Sequence, residues 1–561
     1  MTRLPESHGQ KNQPRIADCL LLFGVVIVSA FPYQFGLGLY LDDWQYLGTL
    51  DRFSGHGLTG MFREMIKVDP HFLFRPVQLT CLVLGFNAFG LHAMPYHIVI
   101  STVLGLVTVC LYLALQELLM NRWLAFVIAL VFGLLPHYST DRIWISSQQA
   151  ALCMAFALLG IYALSRSVRP EEQHSMRWVA LAASAFVLST LSYEVALGFI
   201  IASFGIIGWR KYIEIRGSSR SSLASQSGIA GIAAVLLLVS IVKARMQVMV
   251  VYHHHFFARL GERSWHALDQ AVLFNFWTYG LHMPSLLIRL YRESALSLAA
   301  TGVAAIIASV VTAYLWRYME PSAIPRRRVF LWFIVVGFVL FGLGFALFFA
   351  DSDTAFTSQG IGNRVAIASA VGASFVLVAF VGMACSVLKN DSLRVRAFSI
   401  LIGMICGVNS LAVSGIAHYW EDAASRQSVI LKSVTANVRT LPHGSVLLLD
   451  GFCVNTGPGF VFLSDADTTS ALTVALNDYS LAGDVITRET HFGPSTVNTI
   501  VFGSHDESYP YGDHLFIYNV RHGFLAQLLS QEAAQKYLQA MNPVGDSGCP
   551  VEGDWDGTEV S

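Results

Sequence analysis

Charge is scarce in this chain. Of 561 residues only 13% are charged, where soluble domains carry about 25%, while 54% are hydrophobic and mean hydropathy is +0.54. Those values exclude an ordinary soluble protein and predict a polytopic membrane protein. A basic excess is absent too: 36 Lys and Arg stand against 37 Asp and Glu, so no concentrated basic face is available for a nucleic-acid partner. Of the 8 cysteines, Cys19, Cys81, Cys110, Cys153, Cys385 and Cys406 fall in or beside apolar segments without metal-ligand spacing. They read as small packing residues. Cys453 and Cys549 lie in a polar C-terminal part and could form a disulfide if that part faces an oxidising compartment. No repeat of fixed period is present, and no small-residue cleavage site follows residues 1–15. The first apolar run therefore reads as a retained span.

A span needs roughly 20 apolar residues. Runs of that kind lie at 16–40, 93–116, 124–140, 147–165, 178–193, 194–209, 226–246, 294–316, 329–350, 365–388 and 397–417. Basic residues gather between alternate runs, at Arg122, Arg166 to Arg177, Arg210 to Arg220, Arg317 to Arg328 and Lys389 to Arg396. The positive-inside rule then puts the N-terminus in the cytoplasm and the C-terminus outside, with about eleven crossings. The stretch 178–209 would be about 48 Å as one straight helix, too long for a single crossing. Both its flanks are basic, so the chain is expected to turn at Ser192-Tyr193-Glu194.

The expected organisation is a cytoplasmic N-terminus (1–15), a membrane domain (16–417) with amphipathic outer loops at 41–92 and 247–293, an extracytoplasmic α/β domain (418–548) and a disordered acidic tail (549–561). In the outer domain a helix is expected over 418–441. A buried-type strand follows at Ser445–Asp450, with strands near Thr499–Phe502 and Leu515–Tyr518 and a helix over 523–541. The fold class is thus an α-helical polytopic membrane protein with a small C-terminal α/β domain.

The unusual polar residues converge on one side. The outer ends of the spans supply Asp42, Asp43, Arg75, His97, Asp141, Arg142, Glu194, Asn363 and Arg364. Charge beside hydrocarbon is costly and marks candidate function. Adjacent carboxylates such as Asp42 and Asp43 raise each other's proton affinity, which suits a general base or a cation site. Arginines can grip a phosphate through two bonds at once. The run His253-His254-His255 invites a metal reading, but consecutive histidines do not share one helical face, and an interfacial loop is expected instead.

Leu41-Asp42-Asp43-Trp44 after the first span resembles the signature of the C-type (GT-C) glycosyltransferases, membrane enzymes that use polyprenyl- or dolichyl-phosphate-linked sugars. Further landmarks resemble the protein O-mannosyltransferase-like branch, including the transmembrane tetratricopeptide-repeat mannosyltransferases. They are Phe74-Arg75-Pro76, Phe89-Gly90-Leu91-His92 with Tyr96-His97, Pro136 ahead of Asp141-Arg142-Ile143-Trp144, Ser192-Tyr193-Glu194, and Gly362-Asn363-Arg364. The resemblance covers about residues 16–420 in order and spacing. The chain departs from it at Tyr193, where Lys is frequent, and at Asp141, where Glu is, and it has no tetratricopeptide repeats. The resemblance implies a GT-C-like fold in the bacterial cytoplasmic membrane and a polyprenyl-phosphate-linked sugar donor. It also implies transfer with inversion to a glycan, lipid or protein acceptor on the outer face. Asp42 or Asp43 becomes the base, and the two are not ranked. Arg75, Arg142 and Arg364 become candidates for the donor phosphate, with His97, Asp141, Glu194 and Asn363 in the pocket. Some relatives need a divalent cation; Asp141, Asp351 and Asp353 could assist one, and the sequence does not require it. The rival classes are a transporter or flippase of lipid-linked saccharides and a glycan ligase or polymerase. A transporter should carry ionisable groups near mid-membrane on broken helices, whereas here they cluster at the outer ends.

Overall fold

The computed structural model describes residues 16–119, 121–169, 175–217, 231–243 in part, 265–348 except 266 and 267, 356–438, 440–501, 505–541 and 549. The helices are α1 (Ile16–Ala30), α2 (Asp42–Arg52), α3 (Gly57–Val68), α4 (Pro76–Phe89), α5 (Ala93–Leu119), α6 (Arg122–Leu134), α7 (Gln148–Ser167), α8 (Ser175–Ser192) and α9 (Leu197–Gly217). They continue as α10 (Met283–Arg292), α11 (Leu298–Tyr318), α12 (Arg327–Phe345), α13 (Ser369–Cys385), α14 (Asp391–Asn437), α15 (Asp465–Leu476) and α16 (Gln531–Met541). Among the described residues six helices are long and apolar enough to cross a membrane, and α6 forms a seventh with the 3-10 turn Pro136–Arg142, bent by 60° from it. Shorter apolar helices occupy α1, α9 and α13. Ten of the expected runs thus coincide with helix. The run 226–246 lies largely outside the described residues, as do His253 to His255, Asp351 and Asp353. This is a polytopic helical membrane protein.

Two expected boundaries move for local reasons. The first span stops at Ala30 because Pro32 has no N–H to continue the ladder and disfavours helix at Phe31 before it. Turns and extended backbone then lead to Tyr40. The span expected at 397–417 and the helix expected at 418–441 are one helix, the 47-residue α14, about 70 Å long. No Gly or Pro interrupts residues 416–437, so nothing breaks the helix where the polarity changes. At the start of α1, buried Asp18 accepts both arms of Arg122 at 2.6 Å and the hydroxyls of Tyr112 and Tyr314. That cluster ties α1, α5, α6 and α11 together.

The C-terminal part carries a four-stranded sheet in the order β4 (Ala482–Val485), β1 (Val446–Asp450), β8 (Leu515–Asn519), β9 (Phe524–Gln527). The apolar run of β1 lies parallel to both neighbours, and β9 pairs antiparallel with β8. A helix was expected over 523–541; the free edge of β8 captures its first residues as β9, and α16 starts after Ser530. A short hairpin, β2 (Asn455–Thr456) and β3 (Gly459–Phe460), projects between β1 and α15, and β5 (His491–Phe492), β6 (Thr496–Val501) and β7 (His505–Pro510) form a second sheet. Cys453 and Cys549 are joined by a disulfide.

This domain is not separate from the membrane part. Leu447, Leu449, Phe460, Ala471 and Tyr518 share one buried core with Tyr33, Tyr40, Leu41, Trp144 and Trp420. α15 lies on α2, where a Cβ at Gly48 would stand 3.0 Å from that of Ser470, and Tyr479 donates to Asp51 at 2.7 Å. The β2–β3 hairpin sits on α14, with Thr456 bonded to Asp422 and Gln427 to the Val461 carbonyl.

Candidate functional site

The two adjacent aspartates point to different fates. The backbone turns at Leu41, whose φ of 49° lies in the left-handed region that a leucine rarely adopts. α2 starts immediately after it. Asp43 is turned inward, 1% exposed. Its Oδ1 accepts from the Ser146 amide (2.7 Å) and hydroxyl (2.6 Å), and its Oδ2 from the amides of Tyr40 (3.1 Å) and Ile145 (3.3 Å). Burial raises its pKa to about 7 against the pull of those bonds. Asp42 is half-buried, and among the described residues its carboxylate has no hydrogen-bond or ion-pair partner. Burial also raises its pKa; the charge of Arg364 opposes that and the charge of Asp69 adds to it.

Asp43 thereby fastens α2 to the segment that follows the bent turn Pro136–Arg142, and that segment is fastened in turn to the 3-10 turn Ile361–Ala366. Asn363, fully buried, is the fastener. Its amide donates to the carbonyls of His137 (2.8 Å) and Ser358 (2.7 Å), and its oxygen accepts from Ser139 and the Thr140 amide. Arg142 folds back into the protein: Nη2 donates to the Gly133 carbonyl at 2.6 Å and to Tyr138, capping the end of α6. Asp141, beside it, is fully buried, and among the described residues neither carboxylate oxygen has a hydrogen-bond partner. Trp144 donates to the Tyr40 carbonyl at 3.0 Å, and Arg364 lies over its ring at 5.0 Å. Among the described residues the Arg364 guanidinium makes that contact and no hydrogen bond or ion pair.

A second group of charges borders the first. Arg75, ahead of α4, reaches Glu194 Oε2 at 3.3 Å and lies over the Tyr193 ring at 4.5 Å. Glu194 sits in the break between α8 and α9, and its Oε1 meets Lys243 at 2.8 Å. Burial pushes Glu194 up, but Arg75 and Lys243 outweigh it and hold the carboxyl at about 2. Asp69 accepts from Tyr46 (2.7 Å) and from the His71 amide and ring. His97 is buried on α5, with Nε2 on the Gly38 carbonyl at 2.9 Å.

Asp42, Arg75, Glu194 and Arg364 therefore form one partly accessible charged region, while Asp43, Asn363, Arg142 and His97 are spent on internal contacts and Asp141 is enclosed. Sequence reasoning passed over Lys243, Asp69 and Ser146. An ionisable group within the apolar run 226–246 was the available signal for Lys243; nothing local marked the other two. Among the described residues no three His, Cys, Asp or Glu side chains come together as a metal site.

No family model matches the chain, and no curated protein matches it. Two crystal structures of ArnT from Cupriavidus metallidurans are similar in overall outline. The apo form shares 14% identity over 82% of this chain and 84% of its own, with a TM-score of 0.35. The form bound to undecaprenyl phosphate shares 14% over 84% and 86%, with a TM-score of 0.37. Likeness at that level transfers no residue roles, and neither structure supports the O-mannosyltransferase-like branch.

Proposed function

We propose that the chain is a membrane glycosyltransferase of GT-C type. It moves a sugar from a polyprenyl-phosphate donor to an acceptor at the outer face of the bacterial cytoplasmic membrane. The ordered motif resemblance supports the class. One observation carries the mechanism: a half-buried carboxylate, Asp42, lies within electrostatic reach of a guanidinium, Arg364, stacked on Trp144, and among the described residues neither has a hydrogen-bond or ion-pair partner. Such a pair suits a base beside a phosphate ligand.

In this reading Asp42 takes the proton of the acceptor hydroxyl as its oxygen bonds to the anomeric carbon. The bond from that carbon to the phosphate oxygen breaks on the opposite side, and the lipid phosphate leaves with the electron pair beside Arg364 and Arg75. A single displacement inverts the anomeric centre. Asp43 holds the scaffold and does not meet the acceptor. The outer domain keeps α2 in place through α15, and the O-mannosyltransferase-like branch remains a finer reading resting on the motifs alone.

The test is release of free lipid phosphate by the purified chain in nanodiscs with a panel of polyprenyl-phosphate sugars, beside Asp42→Asn. Release that needs Asp42 supports the reading. Absence of both release and binding for every donor overturns it.

A further inference from the structure

Lys243 follows directly on the apolar stretch 229–242 and is 6% exposed. An ammonium buried at a span is costly unless it is partnered. Its Nζ donates to Glu194 Oε1 at 2.8 Å and to the Thr190 carbonyl at 2.6 Å, in the last turn of α8, where helix carbonyls lack partners. Glu194 is thereby divided: Oε1 faces Lys243, and Oε2 faces Arg75 at 3.3 Å. A guanidinium offered an undivided carboxylate takes a two-bonded fork with bonds of about 2.7–2.9 Å. Arg75 instead has one long contact to Glu194, a face resting on Tyr193, and an Nε with no partner among the described residues. The charge of Asp69 also reaches Arg75, so what leaves the guanidinium open is its single long contact to Glu194 and its unused Nε rather than a deficit of negative charge.

We infer that Lys243 is a positioning residue: by occupying one oxygen of Glu194 it keeps Arg75 from closing into a bidentate ion pair and so leaves Arg75 open to a lipid-linked phosphate. The inference rests on the donor reading above and adds to it the residue that keeps the phosphate ligand available. Lys243 acts through Glu194 and touches no substrate. Without it, Glu194 would swing both oxygens onto Arg75 and neutralise it.

The experiment measures binding of farnesyl phosphate to the full chain in nanodiscs by tryptophan fluorescence. Variants are Lys243→Met, Lys243→Arg, Glu194→Gln and the Lys243→Met/Glu194→Gln double. Lys243→Met should raise Kd tenfold or more, a change of about 1.4 kcal/mol, and Lys243→Arg should stay within threefold of wild type. The double variant should recover affinity, because the carboxylate that would quench Arg75 is gone. Glu194→Gln alone should bind at least as tightly as wild type, which keeps the test decisive if Lys243→Met fails to fold. A wild-type protein that binds no farnesyl phosphate overturns the donor reading. A wild type that binds, with Lys243→Met within twofold of it or with a double variant as weak as Lys243→Met, overturns the role of Lys243 alone.

Discussion

Replacing each of the paired aspartates by asparagine separates a base from a fastener. In Asp43→Asn one carboxylate oxygen becomes an NH2 group facing hydrogen-bond donors. Turned toward Ser146, the amide leaves one backbone N–H without an acceptor, since the hydroxyl can rotate to accept. Turned the other way, it leaves the amides of Tyr40 and Ile145 both unmet. A buried unmet donor costs about 1–3 kcal/mol, and since the amide takes the cheaper orientation the loss is about 1–3 kcal/mol out of a total stability of about 5–15 kcal/mol. Asp42→Asn removes no bond among the described residues, and its effect on stability should stay within about 0.5 kcal/mol. Removal of a general base, by contrast, slows turnover by about 10²–10⁴-fold. Thermal unfolding of both variants in detergent, followed by tryptophan fluorescence, is to be set beside lipid-phosphate release. Asp43→Asn should unfold several degrees below wild type, while Asp42→Asn should unfold with wild type and be nearly inactive. Turnover of Asp42→Asn within threefold of wild type, or wild-type unfolding of Asp43→Asn, would refute the division of roles.

Three further outcomes follow from named contacts. Because burial raises the pKa of Asp42 and only the ionised form accepts a proton, activity should fall on acidification above the usual carboxylate range; Arg364→Gln, which removes the opposing charge, should move that limb to still higher pH in a kcat/KM profile. Gly48→Leu should push α15 off α2 and reduce transfer at least tenfold while the membrane helices keep their circular dichroism, since a Cβ there already meets Ser470 at 3.0 Å. Reduction of Cys453–Cys549, which closes a separation of 96 residues, should destabilise the outer domain by up to about 4–5 kcal/mol, read as faster proteolysis of residues beyond 440.

The same contacts divide what was legible in the sequence from what was not. That the chain is built of many apolar helices, with a break at Tyr193–Glu194, follows from hydropathy and length, because hydrocarbon demands a minimum run of apolar residues and penalises charge within it; the eleven expected crossings do not, since among the described residues six helices, or seven with the bent pair, are long and apolar enough to span. The grouping of Asp42, Arg75, Glu194 and Arg364 near the ends of apolar runs could be read for the same reason. The buried run of β1 was visible too. The helix limits were not: α14 continues past its apolar part because nothing in 416–437 stops it, and β9 forms because β8 offers a free edge to residues that a periodicity argument gives to a helix.

The sequence by itself determined that this is a multi-spanning membrane protein and marked its unusual polar residues at the ends of apolar runs, because those properties are set residue by residue through solvation. Only the tertiary structure decided which of those groups are available. Asp42 and Asp43 are neighbours of the same type, and what distinguishes them is the Ser146 amide and hydroxyl, 103 positions away. Arg142 and Arg364 are likewise distinguished by the Gly133 carbonyl and the Trp144 ring. A side chain's availability depends on which partners the fold delivers to it, from nine positions away for Arg142 to more than a hundred for Asp43.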